Sequence, residues 1–198
     1  NVAGTALLLS AMTRRNFLVA VAYGKTEILM VALFSLLLIG ELVSPVTAGA
    51  MLLATASVLL LSVQGGTADL KSLAAAAASV TGWIGIGSGA AFAVAIVSYR
   101  AAALELGPGI PFVLVGAFGM ACAQLMQSVL LGAWLVLRRR EVLRLALRSS
   151  GMAHAAGALG ALATIGWLTA VSVRSASDVR TLALVEVLFS YVISRRIF

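Results

Sequence analysis

The sequence predicts an all-α fold, a polytopic bundle of transmembrane helices, and three observations predict it. Hydrophobic residues make up 62% of the 198 positions and charged residues only 11%, against roughly 25% charged in a soluble domain. The mean hydropathy is +1.09. The apolar runs are long and have no strand period, and backbone that crosses lipid must satisfy its own hydrogen bonds, which selects helices. Finally, the chain carries a faint copy of itself displaced by 159 residues: SAMTRRNFLVAVAYGKTEILMVALF (Ser10–Phe34) lies on TAVSVRSASDVRTLALVEVLFSYVI (Thr169–Ile193). In that register Ala11 meets Ala170, Arg15 meets Arg174, Glu27 meets Glu186 and Leu29 meets Leu188.

Charges and turn residues divide the chain into seven helical segments. Asn1–Met12 is too short to cross about 30 Å of hydrocarbon and reads as the tail of a span. A second span runs about Asn16–Gly40 and holds Lys25 and Glu27. The third, about Pro45–Gln64, opens with Ser44 placed to accept orphan amides and Pro45 at the first helical position. Gly65–Gly66 then breaks the helix. The fourth lies between Lys71 and Arg100, which are separated by 28 uncharged residues. It carries GxxxG at Gly85–Gly89, a spacing that lets helix backbones approach closely. Gly107–Pro111 (GPGIP) is a turn. The fifth, sixth and seventh spans are about Ile110–Leu137, Met152–Val173 and Ala176–Ser194, the last with Asp178 and Arg180 in its first turns. No signal-peptide pattern opens the chain. It begins at Asn1 and stops at Phe198 soon after a charged pair, and the expectation is a fragment cut at both ends.

The net charge of +7 does not point to nucleic acid, because basic stripes with interleaved aromatics are absent. Most arginines lie between apolar runs, where they act as topology signals and as contacts for anionic lipid. With loops alternating between two faces, one face holds Arg14, Arg15, Lys71, Arg138, Arg139, Arg140, Arg144, Arg148, Arg195 and Arg196, and the other holds Arg100, Arg174 and Arg180. The positive-inside rule puts the first face in the cytoplasm. The single Cys122 forms no internal disulfide and reads as a small core residue.

Two stretches resemble a known family. AVAYGKTEILMVALFSLLLIGELVSP looks like the span-and-loop signature of the drug/metabolite transporter superfamily, EamA type, through Leu38, Ile39, Gly40, Glu41, Ser44 and Pro45. GWLTAVSVRSASDVRTLALVEVLFSYVISRRIF is similar to the matching element of the second half, through Trp167, Ala170, Ser175, Ala176, Glu186 and Ser190. The resemblance implies ten spans in two inverted five-helix repeats. On that plan residues 1–64 hold the end of the first repeat, spans three to five, and residues 65–198 hold spans six to nine of the second. Spans one, two and ten would be missing. The family plan puts the Glu41 loop inside the cell, whereas the cation count puts it outside. A secondary transporter of a small organic metabolite, amino acid or drug, working by alternating access in a bacterial inner membrane, is the implied function. No enzyme activity, cofactor or metal is expected, and no ATP-binding loop is present.

Glu27 and Glu186 are the first candidates for a substrate site, because charge inside an apolar run is costly and usually functional. Repeated halves in so hydrophobic a chain fit transporters that bind near the bilayer midplane. Tyr23 is one turn before Glu27 on the same face, and Ser190 one turn after Glu186. A carboxyl in a low-dielectric cavity holds a proton more readily, which suits a coupling proton or a cationic substrate. The alternative is an ion pair or hydrogen bond that only holds the bundle together. Lys25 lies about 200° around the helix from Glu27; it could pair with Glu186, bind an anionic substrate group or snorkel. Gln124 and Gln127 could line a substrate path or bond between helices. Trp83 and Trp167 lie deep enough to shape a cavity, whereas Trp134 and Tyr99 sit near span ends, where aromatic belts form.

GIGSGAAF (Gly85–Phe92) and AHAAGALG (Ala153–Gly160) together resemble the catalytic elements of rhomboid proteases, in which a serine and a histidine on separate spans cooperate. Ser88 activated by His154 would attack a peptide bond inside the bilayer. Ile86 stands where the rhomboid motif has glycine, and this reading leaves the repeat unexplained. The simpler role for His154 is a polar residue near a helix end. A third reading is a membrane interaction protein that transports nothing and whose buried charges are structural.

Overall fold

In a computed structural model the described residues, 2–12, 23–61, 74–75, 77–107, 109–148, 151–183 and 185, are mostly helical. Among them the helices are α1 (Val2–Met12), α2 (Glu27–Ile39), α3 (Pro45–Leu61), α4 (Val80–Glu105), α5 (Phe112–Arg138), α6 (Arg140–Leu147), α7 (Gly151–Val173) and α8 (Ala176–Leu182), with no strand. Three of these, α4, α5 and α7, are long and apolar enough to cross a membrane. Their 26, 27 and 23 residues rise roughly 35–40 Å at 1.5 Å per residue, more than the hydrocarbon core requires. This is the architecture of a membrane protein. The many exposed leucines and valines of α5 and α7 are what a lipid-facing surface needs.

Two compact units divide the chain. The first holds the segment up to Ala101 together with the segment from Ser175, and the second is Ala102–Arg174. They do not follow the 1–64 and 65–198 division. A repeat is a relation between sequences and a compact unit a relation between contacts, so the two divisions answer different questions.

In the first unit, α2 and α3 pack on each other and both pack on α8. The buried face of α2 is Ile28, Val31 and Ser35, spaced as one helical stripe. A second stripe, Gly82, Gly85, Ser88, Gly89, Ala93, Val97 and Arg100, is the buried side of α4. Gly40 ends α2 in the left-handed conformation at φ 68°, where glycine has no Cβ penalty. Its amide donates to the Leu36 carbonyl, and the Glu41 amide to the Ser35 carbonyl, each at 3.2 Å. The expected start of α3 is present: the Thr47 amide donates to Ser44 Oγ at 3.1 Å.

The second unit is α5 packed along α7, with α6 against α5. A Cβ on Gly116 of α5 would fall 2.9 Å from the Thr169 amide nitrogen and 3.0 Å from the Ile165 carbonyl oxygen of α7. Only glycine allows that approach. On α7 the hydroxyls of Thr164, Thr169 and Ser172 donate back to the carbonyls of Gly160, Ile165 and Leu168 at 2.7–2.8 Å, which hides their polarity inside the helix.

Three expectations about elements need correction. The second span is not one helix from Asn16 to Gly40. Residues 25 and 26 form a turn and α2 starts only at Glu27. The Thr26 amide and the Thr26 hydroxyl both donate to the Tyr23 carbonyl, at 3.2 Å and 2.6 Å, so the helical ladder is interrupted there. Glu27 is therefore the first residue of a helix rather than the middle of one. The fourth span does not stop at Arg100: α4 runs on to Glu105, through residues that are good helix formers. The basic stretch after the fifth span is not merely a loop, because it contains α6. Residues 13–22, Gly65–Gly66, Lys71 and the end of the seventh span lie outside the described residues.

Candidate functional site

Helix α2 is held at both ends by arginines from other helices of the first unit. At its start, Arg180 Nη2 of α8 contacts Glu27 Oε1. Just past its end, Arg100 of α4 reaches Glu41 Oε1 with Nη2 at 2.8 Å and Nε at 2.9 Å. The four side chains are largely buried, with exposures of 24% and 12% for Arg180 and Glu27 and 11% and 21% for Arg100 and Glu41.

The turn before Glu27 rests on α4. A Cβ placed on Gly89 would fall 2.7 Å from the Gly24 carbonyl oxygen and 3.1 Å from the Glu27 amide nitrogen. A Cβ on Gly24 would come within 3.7 Å of the Gly85 carbonyl oxygen. The GxxxG pair thus serves the close approach its spacing implied, and its partner is the interrupted turn.

A third polar link joins the starts of α3 and α8. Thr47 Oγ1 donates to Asp178 Oδ1 at 2.8 Å, and the Asp178 amide donates to Ser175 Oγ, the N-cap of α8, at 3.1 Å. Three further buried hydroxyls in this unit, of Ser35, Thr55 and Ser177, have no hydrogen-bond partner among the described residues. Each is a donor that a polar guest could use.

Of the candidate substrate-binding residues, Tyr23, Lys25 and Glu27 lie in or beside the interrupted turn. Tyr23 is buried at 4% exposure; Lys25 occupies the turn and is half-buried. Glu186 and Ser190 lie outside the described residues. Gln124 is exposed on α5 and Trp167 half-buried on α7, both in the second unit. Trp83 is 66% exposed on α4, so it faces outward rather than into a cavity. Ser88 is buried and donates to the Gly4 carbonyl at 2.8 Å. His154 is exposed on α7, in the other unit. Among the described residues no group of His, Cys, Asp and Glu is arranged to hold a metal.

Sequence reading passed over Arg100, Glu41 and Arg180 as site residues. Arg100 and Arg180 were counted as loop cations, yet both are spent in ion pairs. For Arg100 a signal was present: Ala101–Glu105 is helix-forming sequence, so the arginine was never at a helix end. Nothing comparable marked Arg180 as the partner of Glu27.

No protein-family model matches the chain, and no curated protein or solved structure matches it either.

Proposed function

We propose that this chain is a secondary membrane transporter of the EamA type, moving a small organic metabolite, amino acid or drug by alternating access. The observation that carries the reading is the interrupted turn at Lys25–Thr26. It stands in an apolar stretch, directly before a buried carboxylate, and against a glycine that brings backbone to backbone. Transporters of many folds bind substrate and coupling ion at such breaks, where unwound backbone and helix ends are exposed to the ligand. Glu27 is the central residue, with Tyr23 and Lys25 beside it and Arg180 as its resting partner. Proton or cationic substrate would compete with Arg180 for the carboxylate, which couples occupancy of the site to the contact between α2 and α8. Glu186 and Ser190 enter on the internal repeat and the family resemblance, and the inverted five-helix repeats and ten-span plan enter on the resemblance. The bacterial inner membrane is the proposed location, and no cofactor is involved.

A second reading is favoured by a specific observation. Both Glu27 and Glu41 are ion-paired, as expected of a membrane interaction protein whose buried charges only hold helices together. Reconstitution of the protein, in its full natural length, into proteoliposomes separates the two. Under the transport reading, vesicles with an imposed pH gradient accumulate at least one of a panel of labelled amino acids, amines and organic anions, and Glu27→Gln abolishes accumulation in protein that still folds. No accumulation of any class by well-folded protein, under either polarity of gradient, overturns it.

A further inference from the structure

The basic stretch between α5 and α7 is more than a topology signal. Arg139 leaves the helical conformation at φ −148°, ψ 55° and so separates α5 from α6. Arg140 Nε donates to the Val136 carbonyl at 2.8 Å, which ties the start of α6 to the end of a membrane-spanning helix. At about 100° per residue, Arg140, Glu141, Arg144 and Arg148 occupy one arc of α6. Val142, Leu143, Leu145 and Ala146 occupy the opposite arc. Val142 is 50% exposed and Leu145 is 75% exposed. An open cleft lined by Glu141, Arg144, Leu145 and Arg148 lies where the two arcs meet. Arg138 and Arg139 adjoin the same end, so five arginines face a single glutamate over eleven residues.

We propose that α6 is an interfacial helix that binds the anionic phospholipid headgroups of the bilayer surface, with its apolar arc in the acyl boundary and Arg144 and Arg148 on phosphates. Charge complementarity selects this occupant. An amphipathic helix with clustered arginines beside a membrane span combines apolar insertion with attraction to a negative surface. The site is independent of whether the protein transports anything. It differs from the general role of loop arginines, because a helix fixes which side chains insert and which bind phosphate.

The test places a nitroxide at position 145, using Leu145→Cys in a Cys122→Ala background. The full-length protein is held in bilayers of phosphatidylcholine with or without about one third phosphatidylglycerol. Collision with oxygen and with a water-soluble nickel chelate reports depth. In phosphatidylglycerol bilayers the probe is shielded from nickel and open to oxygen. Adding Arg144→Gln and Arg148→Gln, or raising salt toward 1 M, where charges are screened beyond about 3 Å, raises nickel collisions several-fold. Three outcomes overturn the proposal: a probe at 145 that is open to nickel in phosphatidylglycerol bilayers; shielding that the double arginine variant leaves unchanged; or equal shielding in pure phosphatidylcholine once soluble glycerol phosphate is added, which would mark a site for free anions.

Discussion

Arg100 and Glu41 form a two-point contact, with Nη2 at 2.8 Å and Nε at 2.9 Å from the same carboxylate oxygen, that fixes the end of α2 to α4. Arg100 is buried and Glu41 only partly exposed, with side-chain exposures of 11% and 21%, so the pair is not a salt bridge in open water. Removing one partner strands the other charge in a low-dielectric setting, and such breaks cost about 3–5 kcal/mol. Glu41→Gln is expected to lower the thermal midpoint of the detergent-solubilised protein markedly. The double variant Glu41→Gln, Arg100→Gln should recover much of the loss, because it leaves no uncompensated charge. A double variant no more stable than Glu41→Gln alone would show that the contact contributes little.

The Arg180–Glu27 contact gives a different expectation, since Glu27 is also the proposed ligand. The exchange Glu27→Arg with Arg180→Glu keeps the pair and reverses its sense. Stability should be largely retained relative to either single variant, while transport should vanish. Recovery of both would make the pair purely structural and would remove Glu27 from the proposed substrate site.

Glycine substitutions separate contact from propensity. Gly89→Ala puts a methyl 2.7 Å from the Gly24 carbonyl oxygen, and overpacking of this kind costs about 1–3 kcal/mol. Gly49 of α3 has nothing within 4 Å of its would-be Cβ, so Gly49→Ala is expected to be neutral or to add up to about 1 kcal/mol. Melting curves of the two variants side by side check both signs.

Thr55→Val removes a buried hydroxyl that has no partner among the described residues, with little change of volume. The expected result is unchanged or raised stability, because an unsatisfied buried polar group is itself a cost of about 1–3 kcal/mol. A variant that is stable yet defective in accumulation would assign the hydroxyl to substrate.

Ser44→Ala and Thr47→Ala test the junction of α3 with α8. Ser44 caps the Thr47 amide, and Thr47 donates to Asp178. Each change should cost about 1 kcal/mol, as cap losses do. The two should add up to less than their sum, because both act on the same first turn. Equilibrium unfolding of the three variants gives the coupling.

Much of this fold was legible in the sequence and the reasons are local. The long apolar runs that became α4, α5 and α7, the Ser44–Pro45 start of α3 and the closeness of the GxxxG glycines all depend on neighbours in the chain. What escaped depended on distant partners. Lys25 and Thr26 stand in a run whose hydrophobicity reads as unbroken helix; the interruption involves Gly89, far along the chain. Arg100 looked like a boundary because charge normally marks one, although the helix-forming Ala101–Glu105 argued against it; its approach to Glu41 left no trace in the sequence. The amphipathic period of α6 was visible but hidden by the arginine count. Within the candidate site, the sequence singled out Glu27, Tyr23 and Lys25 but not Arg180, since ion-pair partners between helices leave no periodic trace.

The order in which these contacts can form is set by the chain itself. The second unit is contiguous, whereas the first is completed only by the segment from Ser175. Thr47 and Asp178 are 131 residues apart, which at ribosomal rates is on the order of 10 s of synthesis. Throughout that interval Glu27 is already made and its arginine is not. A nascent chain therefore holds Glu27 without its Arg180 contact while α5, α6 and α7 are being inserted, and α8 closes the first unit like a latch fitted last. Ribosome-stalled chains ending before and after residue 180 should differ in protease resistance of the α2–α3 region. Chaperone or insertase dependence is expected to be concentrated in that window.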